Sequence, residues 1–460
     1  MPSSKKNIDL AEAPSGGAGG FFDGLMAKVF AVFDGVGEVR TGGNARYRMG
    51  DIVRTAFAVF YTQSASFLES QRAMQSHCGG SNAKRFFGIE RIPTDVHVRS
   101  VLDRTRVEET LAAFDAAHGE IERRGLLDGF EVFGGALPVA LDGTWYFCSE
   151  KIGCGNCTKA KGKDGVVWSY HSAVTPAVVS PDMPGLAVPL RPEFVLPQDG
   201  AEKQDCEIAA GKRALPNLAH LARRKGGCVL LGDDLYCHQP FCRQAMLHGF
   251  RFIFTCKEES HPALYEWVAP LDRTTGLNVA VQTRTPAPGK PEKWEVSFVN
   301  NVPLTGAPDA LRVNWLSAKV TDHRGRVYTC AWATDIKLTE ANAVEVARVG
   351  RARWKIENEH NNTLKRRGYH LEHNFGHGKR NLSCVLAALN ILSFLLHTAQ
   401  QLEGGLYAQV RARLGSRRRF FAHTAALSEY HLWKDWEAML AFMLDVSLNG
   451  ARPLPPIDFE

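Results

Sequence analysis

No run of apolar residues in this chain reaches the roughly 20 that a bilayer-spanning helix needs. The strongest, Val385 to Leu396, is interrupted by Asn390 and Ser393, so a buried core helix is expected and no membrane partner is implied. The chain also lacks the apolar stretch and small-residue cleavage site of a secretory leader, since it opens on the polar, Gly-rich MPSSKKNIDLAEAPSGGAGG. Its eleven cysteines follow no small-domain disulfide spacing. These absences point to a reducing, cytoplasmic setting. There is no internal repeat, no P-loop, no dinucleotide fingerprint and no Ser-His-Asp order, so nucleotide-driven and serine-hydrolase chemistries are not expected. Nor does one charge dominate: 55 Lys and Arg against 49 Asp and Glu leave +6, which permits a polyanionic partner without demanding one.

What is present is length and apolar content enough for two or three domains, with 45% hydrophobic residues over 460. Residues 1–20 read as a flexible leader. Across 21–130 apolar residues recur three and four apart, and Pro93-Thr94-Asp95 supplies a helix start, which predicts an all-helical domain. Its Lys84, Arg85, Arg91, Arg99, Arg104 and Arg106 can grip phosphates, although a solvated helix face is the commoner use of such residues.

From 131 to 276 the texture changes. LPVALDGTWYFC, VVWSYHSAVTPAVV, GCVLLGDDLY and FRFIFTC are short, β-branched apolar runs ending near Gly, Asp or Pro, and a helix over AEKQDCEIAAGKRALPNLAHLARRKG carries the chain across between two of them. An α/β sheet follows. LNVAVQTRT, KWEVSFVNN, LRVNWLSAKVTD and RVYTCAWATD, within 277–335, predict an inserted antiparallel β region with PAPGKP and DHRG as turns. Residues 336–402 return to the core through one long helix, from Thr339 as N-cap to about Arg367 before Gly368, and 403–460 form a C-terminal helical region.

That long helix carries an unusual charge. Residues 351–378 pack six Arg or Lys, four His and three Glu into one stretch. On a straight α-helix Arg353, Glu357, His360, Asn361 and Leu364 share a stripe. Two further acids stand at strand ends: Asp142 closes LPVALD ahead of Gly-Thr, and Asp233 closes GCVLLGD behind Gly232. Phosphodiester chemistry needs acids in such settings, because hard oxygen ligands hold the divalent cations that clamp attacking and leaving oxygens. Each acid alone has a plainer reading, as a turn residue or a surface ion pair, and it is the combination that carries weight.

RWKIENEH resembles the third-carboxylate signature of the DDE transposases of bacterial insertion sequences, in the cut-and-paste group whose motif runs Tyr-x2-Arg-x3-Glu-x6-Lys. Arg353, Trp354, Ile356, Glu357 and His360 fit it, and LDGT and LGDDLY resemble the strands bearing the first and second acids. Gly350 stands where the motif has Tyr, and the Lys falls one residue late, at Lys365, with Leu364 in its place. The family spacing of Asp and then Tyr three residues on selects Asp233 with Tyr236 rather than Asp234.

The resemblance covers residues 135 to 400 or so. It implies an α/β fold with an RNase H-like catalytic core, the inserted antiparallel β region and the N-terminal all-helical domain, a probable DNA-binding element. It makes Asp142, Asp233 and Glu357 the catalytic residues and the ligands of two Mg2+ or Mn2+ ions. The implied partner is double-stranded DNA, as the terminal inverted repeats of an insertion sequence and as target site, cut and then joined by strand transfer in a homodimer. Arg353 and Lys365 would meet phosphates, with His360, Lys257, Tyr236, Arg417 and Arg418 as further DNA-binding candidates. A non-catalytic DNA-binding descendant, or a metal-dependent nuclease without strand transfer, are the rival readings.

Cysteine adds one more motif. CSEKIGCGNC sets Cys154 and Cys157 at Cys-x2-Cys, and CHQPFC offers Cys237, His238 and Cys242. Both segments follow strands bearing acids, so Cys154, Cys157, Cys237 and Cys242 could jointly hold a structural Zn2+, with ordinary buried thiols the commoner reading. His370, His373 and His377 read as loop residues that position DNA rather than as metal ligands.

Overall fold

A computed structural model describes residues 20–42, 45–163, 165–197, 205–285, 289–450 and 453–454. The leader, but for its last residue, and part of the PAPGKP turn lie outside these residues.

Six helices open the chain: α1 (Phe21–Asp34), α2 (Met49–Tyr61), α3 (Phe67–Met74), α4 (Gly79–Phe87), α5 (Asp95–Leu102) and α6 (Val107–Arg123). Polar caps fix two of the starts, since Ser66 Oγ accepts from the Glu69 N–H at 3.1 Å and Thr94 Oγ1 from that of His97 at 3.3 Å. α2 is buried on nearly every side and forms the middle of the helical layer. Glu120 on α6 is buried too, but it stays charged between Arg123 and Lys28, the latter reaching over from α1 at 2.8 Å. These partners hold its carboxyl down at about 2.

The middle of the chain forms β1 (Leu137–Ala140), β2 (Gly143–Ser149), β3 (Thr158–Lys161), β4 (Val167–Val174), β5 (Ala177–Val178), β6 (Val188–Pro189), β7 (Glu193–Phe194), α7 (Glu207–Ala222), β8 (Cys228–Gly232), α8 (Gln239–Leu247), β9 (Arg251–Thr255) and α9 (Pro262–Val268). Then come β10 (Asn278–Arg284), β11 (Glu292–Pro303), β12 (Arg312–Thr321) and β13 (Val327–Thr334). The main sheet is mixed and runs β10-β11-β12-β13-β9-β8-β1-β5-β6. Its β1, β8 and β9 are parallel and the remaining pairs antiparallel. The inserted strands therefore extend the sheet itself, joined where β13 pairs β9 from Trp332↔Thr255 to Thr334↔Ile253.

The parallel strands are buried on both faces, which is why they read as unbroken apolar runs. Leu137, Val139, Leu230, Phe252 and Phe254 face the large core shared with the helices, while Ala140, Val229, Leu231 and Ile253 face a second core on the other side. A smaller sheet, β2-β4-β3 with β7 beside β4, sits at the end of the main one. Three strands of the main sheet meet it at a break: β1 leads into β2 through Leu141-Asp142, β4 into β5 through Thr175-Pro176, and β6 into β7 through residues 190–192. Pro176 has no N–H for a ladder, and the Thr175 N–H bonds the Asp142 carbonyl at 3.0 Å across the bend.

The expected single helix from Thr339 to Arg367 does not form. Thr339 opens a turn closed by Asn342, whose Oδ1 accepts the Thr339 N–H at 2.8 Å, and α10 spans only Ala343–Arg351. A turn at Ala352-Arg353 follows, then a π-helical segment Ile356–Asn361 and α11 (Asn362–Arg366). Gly350 explains how closely α10 lies on the sheet. A Cβ there would fall 2.8 Å from Trp332 Nε1 and 2.9 Å from Ile253 Cγ2, so a Trp from β13 fills space beside the backbone.

The last helices are α12 (Leu382–Glu403), α13 (Leu406–Leu414), α14 (Arg417–Tyr430) and α15 (Trp436–Asn449). α12 is longer than its apolar run suggested; its 22 residues would cross a bilayer by length and composition, but Leu382 through Gln400 are buried inside the protein. It packs against α2, α5 and α6 on one side and the edge strand β6 on another, joining helical layer and sheet. The C-terminal helices fold back on the N-terminal ones. Asn82 on α4 donates to the carbonyls of Ser428 and His431, each at 2.7 Å, and accepts from the Trp433 N–H at 3.0 Å.

Gly350→Ala is predicted to lower unfolding stability by about 1–3 kcal/mol through overpacking. Gly24→Ala, in α1 with nothing within 4 Å of the added methyl, should raise it by roughly 0.5–1 kcal/mol. Urea unfolding of both variants checks the pair, and a neutral Gly350→Ala would contradict the described packing.

Candidate functional site

β1 and β8 run side by side in register, with Val139↔Leu230 and Ala140↔Leu231, and the Leu141 N–H extends the ladder to the Leu231 carbonyl at 2.8 Å. Asp142 and Asp233 leave the carboxyl ends of these neighbouring strands. Asp142 sits at the bend between the two sheets, where its Oδ2 accepts from Asn361 Nδ2 at 2.8 Å. Asn361 is itself held, since its Oδ1 accepts from Thr175 Oγ1 at 3.1 Å and lies 2.8 Å from His360 Nδ1. Arg353 bridges the first and third acids: its Nη2 donates to Glu357 Oε1 at 2.6 Å and its Nη1 lies 3.9 Å from Asp142 Oδ1.

The Asp142 carboxyl is pushed up to about 7, first by burial and then by Glu207, Glu357 and Asp233, with Arg353 opposing. Asp142 thus feels the charges of the other two acids predicted from sequence. Asp142 is 18% exposed, whereas Glu357 is 48% exposed and turned onto Arg353.

Sequence reasoning missed a fourth carboxylate. Glu207, the first residue of α7, accepts the Gly143 N–H at 3.0 Å and the Tyr236 hydroxyl at 2.9 Å, and burial raises its pKa. An acid in a first helical turn ordinarily complements the helix dipole, so nothing local marked it. The usable signal was Gly143, because a Cβ there would lie 2.1 Å from Glu207 Oε2. The Gly after Asp142 makes room for an acid as well as for a turn.

The adjacent aspartates part company. Asp233 Oδ1 accepts the Leu235 N–H at 3.0 Å, and its charge acts on both Asp142 and Glu207. Asp234 turns toward the loop after β9, where it accepts the Lys257 N–H at 2.7 Å and lies 3.4 Å from His261 Nε2. Lys257 is exposed at the end of β9, the third parallel strand. Lys365 is engaged by Glu372 at 2.8 Å, and Arg418 is exposed on α14.

Several expected DNA contacts are corrected. His360 is fully buried against Phe394, because the π-helical segment rotates it off the face that Glu357 occupies. Tyr236 is fully buried and holds Glu207, so it positions an acid instead of reaching DNA. Arg417 donates to Tyr369 Oη at 2.7 Å and lies over the Tyr369 and Phe394 rings, a structural role, while Phe420 and Phe421 enter the core. Of the N-terminal bases, Lys84, Arg99 and Arg106 pair with Glu90, Asp95 and Glu108, Arg85 and Arg91 bond backbone carbonyls, and Arg104 is exposed.

The four-cysteine site is also corrected. Cys237 groups with Cys256 and His261, and Cys242 lies buried with its Sγ 3.9 Å from the Tyr236 carbonyl. Cys154 and Cys157 meet His171 and His377 instead. Comparison with protein-family models and with curated proteins finds no match to this chain.

Chemically, Glu207, Asp233 and Glu357 lie within electrostatic reach of Asp142, Arg353 contacts Asp142 and Glu357, and carboxylates are the hard oxygen donors that divalent cations take. A raised Asp142 pKa means that the native state binds a proton the unfolded chain has lost between pH 4 and 7, so this group's contribution to stability falls as pH rises through that window. Asp142→Asn is therefore predicted to be near-neutral in stability at pH 4 and more stable than the parent by a few kcal/mol at pH 8 in EDTA, at about 1.4 kcal/mol per pH unit of divergence. Thermal unfolding across pH checks it, and a pH-independent difference would contradict the buried-acid account.

Proposed function

We propose that the protein is a DDE-type DNA transposase with an RNase H-like core. The observation that carries this reading is that two acids end adjacent parallel strands and a third, remote in sequence, is tied to the first through Arg353. The strand order β6-β5-β1-β8-β9, an antiparallel trio followed by two strands parallel to β1, supports the core assignment. So does the β extension, which enters between the second and third acids.

The two departures from the family motif have physical counterparts. Gly350 yields the place of the motif's Tyr to Trp332, which comes from the neighbouring strand. A π-helical turn holds one residue more than an α-turn, so Lys365 takes the azimuth that residue 364 has on a straight helix, while Leu364 is buried.

The carboxylate set fits Mg2+ or Mn2+: Asp142 and Asp233 would hold the ions, with Glu357 joining after rotating off Arg353. Bound there, two cations would activate the attacking hydroxyl and stabilise charge on the oxygens around phosphorus. Arg353, released from Glu357, meets a phosphate in its place, and Lys257, Lys365 and Arg418 hold the strand as point charges. Water attacks phosphorus at an element end, its proton leaves, and the bond to the departing 3′-oxygen breaks. That 3′-hydroxyl then repeats the in-line displacement on target DNA. Two ends require two active sites, hence a homodimer acting on double-stranded terminal repeats and a target site.

Asp142→Ala, Asp233→Ala and Glu357→Gln should each cut Mg2+-dependent cleavage of DNA bearing the element's ends by more than the roughly 10–100-fold typical of residues behind metal ligands. End binding should persist, and Asp234→Ala should remain active. Parent-level cleavage by purified Asp142→Ala and Glu357→Gln would refute the proposal, and cleavage without any strand joining by the parent would leave a nuclease instead.

A further inference from the structure

We propose that Cys154, Cys157, His171 and His377 form a structural zinc site, separate from the carboxylates, that clamps the small sheet to the loop entering α12. The four ligand atoms lie within 4.8 Å of one another. The two Sγ atoms are 3.8 Å apart, His171 Nε2 is 3.5 Å from Cys154 Sγ and 3.4 Å from Cys157 Sγ, and His377 Nε2 is 3.5 Å from Cys157 Sγ. A tetrahedral zinc with bonds of about 2.3 Å to sulfur and about 2.0–2.1 Å to nitrogen spans S···S edges of about 3.8 Å and S···N edges of about 3.5 Å. Four of the six edges thus match those of a zinc tetrahedron, and the other two are within 4.8 Å.

Three features strengthen the case. Both imidazoles turn Nε2 to the sulfurs, His171 toward Cys154 and Cys157 and His377 toward Cys157. The turn carrying the thiols is closed by its own backbone, with the Cys154 N–H donating to Cys157 Sγ at 3.4 Å and the Cys157 N–H to the Cys154 carbonyl at 3.2 Å. The site is enclosed: His171 is fully buried, and Cys157 and His377 nearly so. Two thiolates, two neutral imidazoles and one divalent zinc sum to no net charge, which suits such burial. All four positions come from protein, so the site is closed and structural rather than catalytic.

Its placement gives it a task. Cys154 and Cys157 lie between β2 and β3, His171 on β4, and His377 in the loop between α11 and α12. The clamp thus ties the chain after the first acid to the chain after the third, beside a hydrogen bond from Asn156 Nδ2 to the Arg380 carbonyl at 2.8 Å. This inference does not depend on the proposed DNA chemistry.

The test uses full-length protein made without a polyhistidine tag. Zinc is measured by mass spectrometry after gel filtration, alongside the visible absorption of protein produced with Co2+ in place of zinc. The expected result is zinc near one equivalent per chain, lost in Cys157→Ser and His377→Ala and kept in the exposed-thiol control Cys206→Ser. Cobalt protein should show the strong bands of a tetrahedral centre with thiolate ligands, a readout that needs no variant to fold. Zinc below about a tenth of an equivalent in the folded parent, zinc unchanged in both variants, or a Cys154–Cys157 disulfide would each overturn it.

Discussion

The parallel pairing of β1 with β8 is the constraint on which the rest depends. Because successive side chains on a strand point to opposite faces, a slip of one residue would exchange Val139 and Leu230 with Ala140 and Leu231 between two differently shaped cores. Both faces are buried, so the register is tightly specified. Asp142 and Asp233 inherit that precision, as they lie within two residues of the last paired positions. The upward shift of Asp142 comes first from burial, and the charges of Glu207, Glu357 and Asp233 add to it. Packing of the strands thus places the acids near one another against their own repulsion.

The helical stretch that brings the third acid is more heavily committed than its charge suggests. Arg348 pairs with Asp182 and Glu345, Arg351 with Glu292 while lying over Trp294 and Tyr328, Lys355 with Glu359, and Lys365 with Glu372. Most of the basic residues thus fasten the helix to its surroundings, and Arg353 is the one that addresses the acids. Without a guanidinium there, Asp142 would keep its bond from Asn361 while Glu357 lost its ion pair. Under the proposed function, Arg353 balances the acids until cations take over that role and a phosphate takes the place of Glu357 on Arg353.

Much of the architecture was legible because it rests on local signals. Strands buried on both faces announce themselves as short β-branched runs, and Gly232 and Gly143 marked the places where the backbone or a neighbouring acid must come close. The mixed α/β sheet, the N-terminal helices and the antiparallel extension followed from such patterns. What escaped depends on contacts remote in sequence. The π-helical segment has no periodicity signal of its own, and it is what turns His360 and Leu364 inward. Glu207 enters the site only because α7 starts beside Gly143. Cys154 and Cys157 were visible as a pair, but His171 lies on a strand and His377 in a distant loop, so no spacing rule joins them. Arg417 looked like a DNA contact because its sequence neighbours are basic, although its guanidinium stacks on two rings.

Under the proposed function, Asp142, Asp233 and Glu357 share a pair of divalent cations. The most direct measurement is an anomalous difference map from crystals of the protein grown with Mn2+. Two peaks are expected beside the carboxylates of Asp142 and Asp233, with Glu357 rotated off Arg353. Ordered carboxylates with no anomalous peak between them, and Arg353 still seated on Glu357, would contradict it.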